Sequence, residues 1–269
     1  MNKTMPSQDS QLVRLLRADF YHLFRSKWLW LSTLAMLGLS FGFVSMQYSG
    51  MDYVVTFDRV VFLPLSFYGV IAAAMISLFV GEDFSDGCIR NKIVAGRSRG
   101  SVFLSHLIVC CFSCVLIYLI MLAVTISLGL ALFENDVTTT QLLRFVALGV
   151  LTCLVYACIY CALTVLIGNR TNGVVICMMV SFALLFAALH TNQVVVQQPI
   201  KNGAPNPHYV SGVTRYVYEC LHDLNPTGQA AQLSSMDCQS PLRWMVSNVM
   251  WFILSIGIGG AVFAKKNIR

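Results

Sequence analysis

The sequence predicts an all-α membrane protein with six transmembrane helices, an interfacial amphipathic helix at the N-terminus and both termini in the cytoplasm. Of its 269 residues 57% are hydrophobic and only 11% are charged, whereas a soluble domain has about 25% charged residues. Six apolar stretches approach or exceed the roughly 20 residues that a helix needs to cross the hydrocarbon core. This composition excludes a disordered chain and a protein whose main role is to bind nucleic acid.

The N-terminal element is predicted to be an amphipathic helix over residues 11–27. Leucine and phenylalanine recur there at helical spacing beside arginine, a pattern typical of helices that lie in the membrane interface and bind lipid. The residues predicted to anchor this helix are Arg14, Arg17, Phe20, Phe24 and Arg25. Contact with a cytoplasmic partner is the alternative, and it is compatible with anchoring.

Six membrane spans follow, at residues 28–47, 60–81, 102–132, 145–167, 173–189 and 244–263. Pro64 should kink the second span or mark its first turn, and the fifth span should continue past His190. The spans contain no Asp, Glu, Lys or Arg, so they lack the ionisable groups on which proton-driven transporters and aspartyl proteases depend. For His106, near one end of the third span, we expect a side chain that reaches toward the interface rather than a proton relay.

The distribution of basic residues predicts the orientation in the membrane. The N-terminal segment, the 82–101 loop, the 168–172 turn and the C-terminal tail carry 13 of the 18 Lys and Arg residues. Because basic residues concentrate on the cytoplasmic side, we predict a multi-pass protein of the plasma membrane with both termini cytoplasmic. The net charge of +6 is then a topology signal rather than a nucleic-acid footprint.

The segment 82–101, between the second and third spans, has three acidic residues followed by four basic ones. Ile89, Ile93 and Val94 recur at helical spacing, Gly96 can end a short helix, and Ser98 can cap the next one. We predict a short interfacial helix that docks a partner, with an ordinary charged loop as the alternative.

The run E-D-F-S-D-G-C-I-R-N-K-I-V-A-G-R-S-R in this segment resembles the cytoplasmic coupling region of type-2 ATP-binding-cassette (ABC) transporter permeases of the small six-span bacterial exporter type. The N-terminal interfacial helix, the large loop before the last span and the closing F-x-K-K-N-I-R resemble the same family. Two positions depart from its pattern: Cys88 stands where Thr is usual, and His106 stands where Lys or Arg often begins the third span.

The resemblance implies a permease subunit that works with cognate ABC ATPase subunits and with a second permease subunit, as a homodimer or a heterodimer. ATP and Mg would be used by the ATPase. This chain is expected to bind no cofactor or metal and not to be an enzyme, since its sequence has no G-x4-G-K-S/T phosphate-binding motif. The ATPase-coupling contacts implied by the resemblance are Glu82, Asp83, Asp86, Arg90, Lys92, Gly96 and Arg97.

The uncharged spans favour an amphipathic cargo, such as a peptide or bacteriocin, a lipid or a hydrophobic drug. The resemblance implies that this cargo is exported by alternating access. The alternative is a non-transporting membrane sensor or anchor that relays signals between the external loop and a cytoplasmic partner. A membrane-embedded enzyme fits less well, because the spans contain no acid and no evident nucleophile–base pair.

The external loop, residues 190–243, is predicted to contain two short helices, over 213–224 and near 228–233, separated by Asn225-Pro226. In the resembled family such helices dip back over the outer end of the pathway; a disordered loop is the alternative. Cys220 and Cys238 could form a disulfide here. The cysteines of the spans, including Cys158-x-x-Cys161, are interpreted as small packing residues rather than as a metal or redox site.

Overall fold

The computed structural model describes residues 8–50, 56–134, 137–201, 204–207, 209–236, 238 and 240–265. Lys3 and the last four residues of the closing motif, 266–269, lie outside the described residues. Within them, Ile200–Lys201 and Ala204–Pro205 form a two-residue antiparallel pairing. The remaining regular structure is helical: α1 (Gln8–Arg25), α2 (Lys27–Ser49), α3 (Asp58–Val61), a 3-10 helix (Leu63–Phe67), α4 (Tyr68–Ser85), α5 (Cys88–Val94), α6 (Arg99–Leu132), α7 (Thr139–Ile167), α8 (Arg170–Val195), α9 (Val213–Leu224), α10 (Pro226–Ser234) and α11 (Pro241–Lys265).

Six helical segments of the described chain are long and apolar enough to cross a membrane: α2, α3 with α4, α6, α7, α8 and α11. The predicted all-α class with six apolar helices is therefore confirmed. Several helices extend beyond the predicted spans because polar residues cap them. Thr138 and Gln141 form a capping box at α7, and the Asn169 side chain caps α8. Helix α8 also continues past His190, as predicted.

Pro64 interrupts the second span. The 3-10 helix that contains it separates α3 from α4, because proline lacks the N–H that an α-helix requires and restricts the residue before it. The predicted break is confirmed. It turns α3 toward α6 and leaves the 3-10 helix in contact with α10.

Helices α4 and α7 form the centre of the bundle. In the most apolar 18-residue stretch of each of these two spans, 67% of the residues are buried, compared with 33% in α2, 28% in α11 and 22% in α8. Helix α4 packs on α7 and α8, while α7 also packs on α6 and α11. The peripheral helices expose large apolar side chains such as Phe41, Phe186 and Ile253. These faces suit lipid or another subunit rather than water.

The loop between α8 and α11 contains both predicted short helices, α9 and α10, so the alternative of a disordered loop is wrong for this part of the chain. Most residues of α10 are buried, and the helix packs against α7, α8 and the 3-10 helix. The Tyr156 hydroxyl donates to Thr227 Oγ1 at 2.9 Å, and Thr152 Oγ1 lies 3.2 Å from Gln229 Oε1. Such bonds offset the cost of burying polar groups, and they make α10 part of the bundle.

The disulfide considered for Cys220 and Cys238 is not formed. Cys220 lies on α9, where its sulfur accepts a long hydrogen bond from Arg243 Nη1 at 3.9 Å, and it therefore faces α11. In the spans, six thiols are buried between helices in the manner of packing residues: Cys110, Cys114, Cys153, Cys158, Cys161 and Cys177.

Candidate functional site

The predicted coupling segment lies at the end of the bundle that also carries α1, the α7–α8 turn and the end of α11. The Arg170 guanidinium, in the first turn of α8, lies 5.5 Å from the ring centroid of Trp28, and Arg99 Nη1 donates to the Ala264 carbonyl at 3.0 Å. These contacts join segments that are distant in sequence. We call this end of the bundle the basic end, because most of the Lys and Arg residues belong to its segments.

Helix α5 is short and lies between two glycines, each of which has a left-handed backbone conformation. The φ angles of Gly87 and Gly96 are 69° and 82°, values that favour glycine because it has no Cβ. Ser98 Oγ accepts a hydrogen bond from the Ser101 N–H at 3.2 Å and so caps α6. The predicted short helix, its end at Gly96 and the Ser98 cap are confirmed, and the charged-loop alternative is wrong.

The outer face of α5 is polar apart from one residue. Ile89 is buried and Ile93 packs against the core, because the i, i+4 spacing places both on the inner side of the helix. Val94 is 80% exposed, and Arg90, with Asp86 just before the helix, is exposed too. The apolar face predicted to dock a partner therefore holds α5 to its own bundle, and Val94 is its one fully exposed member.

Asp83 and Lys92 were expected among the outward contacts, but they lie inside the protein. Lys92 Nζ is 2.6 Å from Asp19 Oδ1 and 3.7 Å from Asp83 Oδ2. Asp19 and Asp83 are only 4% and 3% exposed, and Ser105 Oγ donates to Asp19 Oδ2 at 2.6 Å. Asp83 is buried because α4 extends beyond the predicted span and turns its last residues toward α1 and α6. We call Asp19, Asp83, Lys92, Ser105 and His106 the buried charge cluster.

His106 completes this cluster, and the expectation that its side chain reaches the interface is wrong. The residue is 2% exposed. Its Nε2 lies 2.7 Å from Asp83 Oδ2, and its Nδ1 lies 2.9 Å from the Val102 carbonyl oxygen. A buried imidazole needs such partners, and the carboxylate at the end of α4 provides one. The predicted spans contain no Asp, Glu, Lys or Arg, yet the folded chain buries Asp19, Asp83 and Lys92 against His106 at the start of the third span.

The predicted amphipathic helix is present as α1, and its inner face packs on the bundle. Leu15, Asp19 and Leu23 form a buried stripe, while Phe20 and Phe24 make edge contacts with Phe112 of α6 at centroid distances of 5.0 and 6.0 Å. The three predicted arginine anchors are exposed: Arg14, Arg17 and Arg25. Asp19 was not predicted to have a role, although an acid in the middle of an apolar i, i+4, i+8 stripe was an available signal.

Glu82 holds the corner between α2 and α4, where its Oε2 accepts a hydrogen bond from Trp28 Nε1 at 2.8 Å. A cavity of about 440 Å³ opens beside this corner and is lined by side chains of both charges. A cavity lined by both charges can accept acidic or basic side chains of a partner protein. Its charged and titratable lining residues are His22, Arg25, Lys27, Glu82 and Asp86.

At the opposite end of the bundle, Asp223 ties α9 and α10 to α11. Its Oδ2 lies 3.1 Å from Arg243 Nε, and its Oδ1 accepts hydrogen bonds from Gln232 Nε2 at 2.7 Å and Trp244 Nε1 at 3.2 Å. The apolar residues of α9 face outward instead, as Val213 is 80% exposed. Asp223 was not predicted to have a role, since nothing in its local sequence pattern indicates three partners from later helices.

Acidification is expected to destabilise the region of α9 and α10 through His222. The residue is buried, and its Nδ1 lies 2.7 Å from Thr191 Oγ1. Burial lowers the pKa of His222, and the neighbouring Asp223 carboxylate offsets this only in part. The pKa of His222 is therefore lower in the folded protein than in the unfolded chain, where it is about 6.5. On acidification through about pH 6.5 the unfolded chain takes up the proton first. Stability from neutral His222 is complete above that pH and is lost progressively below it.

The measurement is the free energy of unfolding in detergent at about pH 7.5 and about pH 5.5, for the native chain and for His222→Gln. Glutamine keeps a hydrogen-bonding group near Thr191 but does not titrate. The native chain should lose more stability on acidification than the variant. Equal losses in the two proteins would exclude His222 as the source.

The basic end combines a short helix with an exposed polar face, a mixed-charge cavity and a buried charge cluster that links α1, α4, α5 and α6. An exposed helix beside such a cavity is a surface that a protein partner can contact. No protein-family model matches this chain, and no curated protein matches it either.

Proposed function

We propose that this chain is the membrane permease subunit of an ABC transporter and exports an amphipathic cargo. The observation that carries the proposal is the position of the coupling-like run. It forms a short, glycine-bounded helix that exposes Arg90 and Val94 at the basic end, with the exposed Asp86 just before it. A separate ATPase subunit would bind this helix from the cytoplasm. Both termini would then be cytoplasmic, and the membrane would be the plasma membrane.

The inner contacts of α5 supply a route for force into the bundle. Ile89 is buried in the core, and Lys92 is paired with Asp19 of α1. A displacement of α5 by a bound partner would therefore move α4 and α6 through apolar packing, and α1 through an ion pair. In this mechanism the exposed Asp86 and Arg90 and the half-buried Arg97 meet the ATPase directly, whereas Asp83 and Lys92 act from inside.

The peripheral helices fit the rest of the proposal. The exposed apolar faces of α2, α8 and α11 offer surface both for lipid and for a second permease subunit. Alternating access would take place between two such subunits, with ATP and Mg used in the ATPases. A cargo with apolar parts, such as a peptide, a lipid or a hydrophobic drug, suits spans without charged residues.

Arg90→Glu is expected to weaken the binding of the ATPase to this chain without unfolding the bundle. Reversing an exposed charge at the centre of an interface costs several kcal/mol of binding through like-charge contacts, while exposed substitutions change stability by about 0.5 kcal/mol or less. The tagged full chain would be purified from its native membranes. A polypeptide with a G-x4-G-K-S/T motif should co-purify in stoichiometric amount and hydrolyse ATP, and both signals should fall at least about tenfold in Arg90→Glu.

Arg59→Glu is the matched control, since Arg59 is also exposed but lies in α3, at the start of the second span and at the opposite end of the bundle from α5. It should leave co-purification and ATP hydrolysis unchanged. If the native chain brings down no ATP-hydrolysing polypeptide, the permease proposal fails. A stable complex with a partner that does not hydrolyse ATP would favour the sensor or anchor.

A further inference from the structure

The ring of His106 lies between two groups that only accept hydrogen bonds. Nδ1 faces the Val102 carbonyl oxygen at 2.9 Å, and Nε2 faces Asp83 Oδ2 at 2.7 Å. A carbonyl oxygen cannot donate, and neither can an ionised carboxylate. Both contacts are hydrogen bonds only when each ring nitrogen carries a hydrogen, and that form of histidine is the imidazolium.

The charges around His106 lead to the same protonation state. Asp19 and Asp83 contribute two buried negative charges, and Lys92, with 18% of its side chain exposed, contributes one positive charge. Buried charges are tolerated when they are paired. His106 Nδ1 is also 3.8 Å from Asp19 Oδ2, so an imidazolium faces both carboxylates and brings these four residues to neutrality.

Two further titratable groups face the cluster. His22 of α1 places Nδ1 3.5 Å from Asp83 Oδ1, and 45% of its side chain is exposed. Cys88 of α5 is the other group; burial and the Asp83 carboxylate both raise the pKa of its thiol, so it stays neutral. Since His22 reaches both the buried carboxylate and the surface, it offers a path along which a proton can leave or enter.

We propose that the buried charge cluster is a proton-binding site whose single proton, held on His106, keeps α1 and α5 docked to the bundle. When that proton leaves to water through Asp83 and His22, the Asp83 carboxylate loses its partner. Lys92, already 3.7 Å away, is then drawn from Asp19 toward Asp83. The ion pair between α5 and α1 opens, and both helices loosen together. The proposal concerns the docking of two helices and does not depend on the transport function.

The test removes the charge of His106 and then restores the balance. His106→Gln keeps a polar side chain but cannot be cationic, which leaves one buried carboxylate unpaired. His106→Gln with Asp83→Asn removes one charge of each sign and keeps an amide pair at the same place. His106→Gln with Asp86→Asn is the matched control, because it removes an acid that is exposed and lies outside the cluster.

Amide hydrogen exchange of each full-length protein in detergent at about pH 7 reports the docking of α1 and α5. We expect exchange in residues 8–25 and 88–94 to rise at least about tenfold in His106→Gln and to return to within about threefold of the native chain in the Asp83→Asn double variant. The Asp86→Asn double variant should stay unprotected. Native-like protection in His106→Gln, or equal rescue by both double variants, would overturn the proposal.

The native chain gives a second readout that needs no destabilising substitution. Its exchange in the same two segments, corrected for the intrinsic rate, should rise as the pH is raised and the proton is lost. The His106→Gln, Asp83→Asn double variant retains Lys92 and Asp19, so it should show no such rise. Identical pH profiles for the two proteins would also overturn the proposal.

Discussion

Lys92→Met is expected to lower the free energy of unfolding by about 3 kcal/mol. Lys92 is the cation that pairs with Asp19 at 2.6 Å and also faces Asp83 at 3.7 Å. Methionine fills a similar volume without charge, so two buried carboxylates would have to share the one remaining cation, His106. Removing one partner of a buried ion pair costs more than the pair itself contributes, because the other charge stays desolvated.

Reversible unfolding in detergent, followed by tryptophan fluorescence, measures this loss. Arg90→Met is the matched control, since Arg90 lies on the same helix and is exposed; it should change stability by about 0.5 kcal/mol or less. Adding Asp19→Asn to Lys92→Met should recover a large part of the loss, because the unpaired charge is then gone. Equal stability of Lys92→Met and Arg90→Met would show that the ion pair is not structural.

Gly228→Ala is expected to destabilise the packing of α10 against α9 by about 3 kcal/mol. A Cβ at this position would lie 2.2 Å from the His222 backbone oxygen and 3.0 Å from its Nδ1. The carbonyl belongs to the last turn of α9 and cannot rotate away, so α9 and α10 would have to separate. Separation would strain the hydrogen bonds that Asp223 and Thr227 make with neighbouring helices.

Gly257→Ala provides the control for this substitution. Gly257 lies inside α11, and a Cβ there would meet nothing within 4 Å. Since alanine is the better helix former, this variant should be as stable as the native chain or more stable by about 0.5–1 kcal/mol. If thermal unfolding in detergent gives the two variants the same midpoint, the close approach at Gly228 does not limit stability.

The local elements could be predicted because their signals are local. Apolar stretches of membrane length predicted six helices, Pro64 predicted the break in the second span, and Gly96 with Ser98 predicted the end of α5 and the start of α6. Each of these depends on backbone geometry within a few residues. The Asn225-Pro226 break between α9 and α10 belongs to the same class.

The candidate site was predicted only in part. Asp86, Arg90 and Val94 lie on an exposed face at the predicted place, but Asp83 and Lys92 turn inward and Glu82 bonds to Trp28. Asp19 and His106 were not predicted to take part. The partners of Asp83 are Lys92 on α5, His106 on α6 and His22 on α1. Other helices or turns separate them from Asp83 along the chain, so the local charge pattern does not indicate these contacts.

The sequence by itself determined the class of this protein, the number and order of its apolar helices and the position of the short helix between α4 and α6. The tertiary structure decided which side chains of those helices face inward. That decision depends on packing between α1, α4, α5 and α6, because a carboxylate is buried only where a distant lysine or histidine comes within hydrogen-bonding distance. The order of residues shows that the predicted spans contain no Asp, Glu, Lys or Arg. Only the folded chain brings Asp19, Asp83, Lys92 and His106 into one buried cluster.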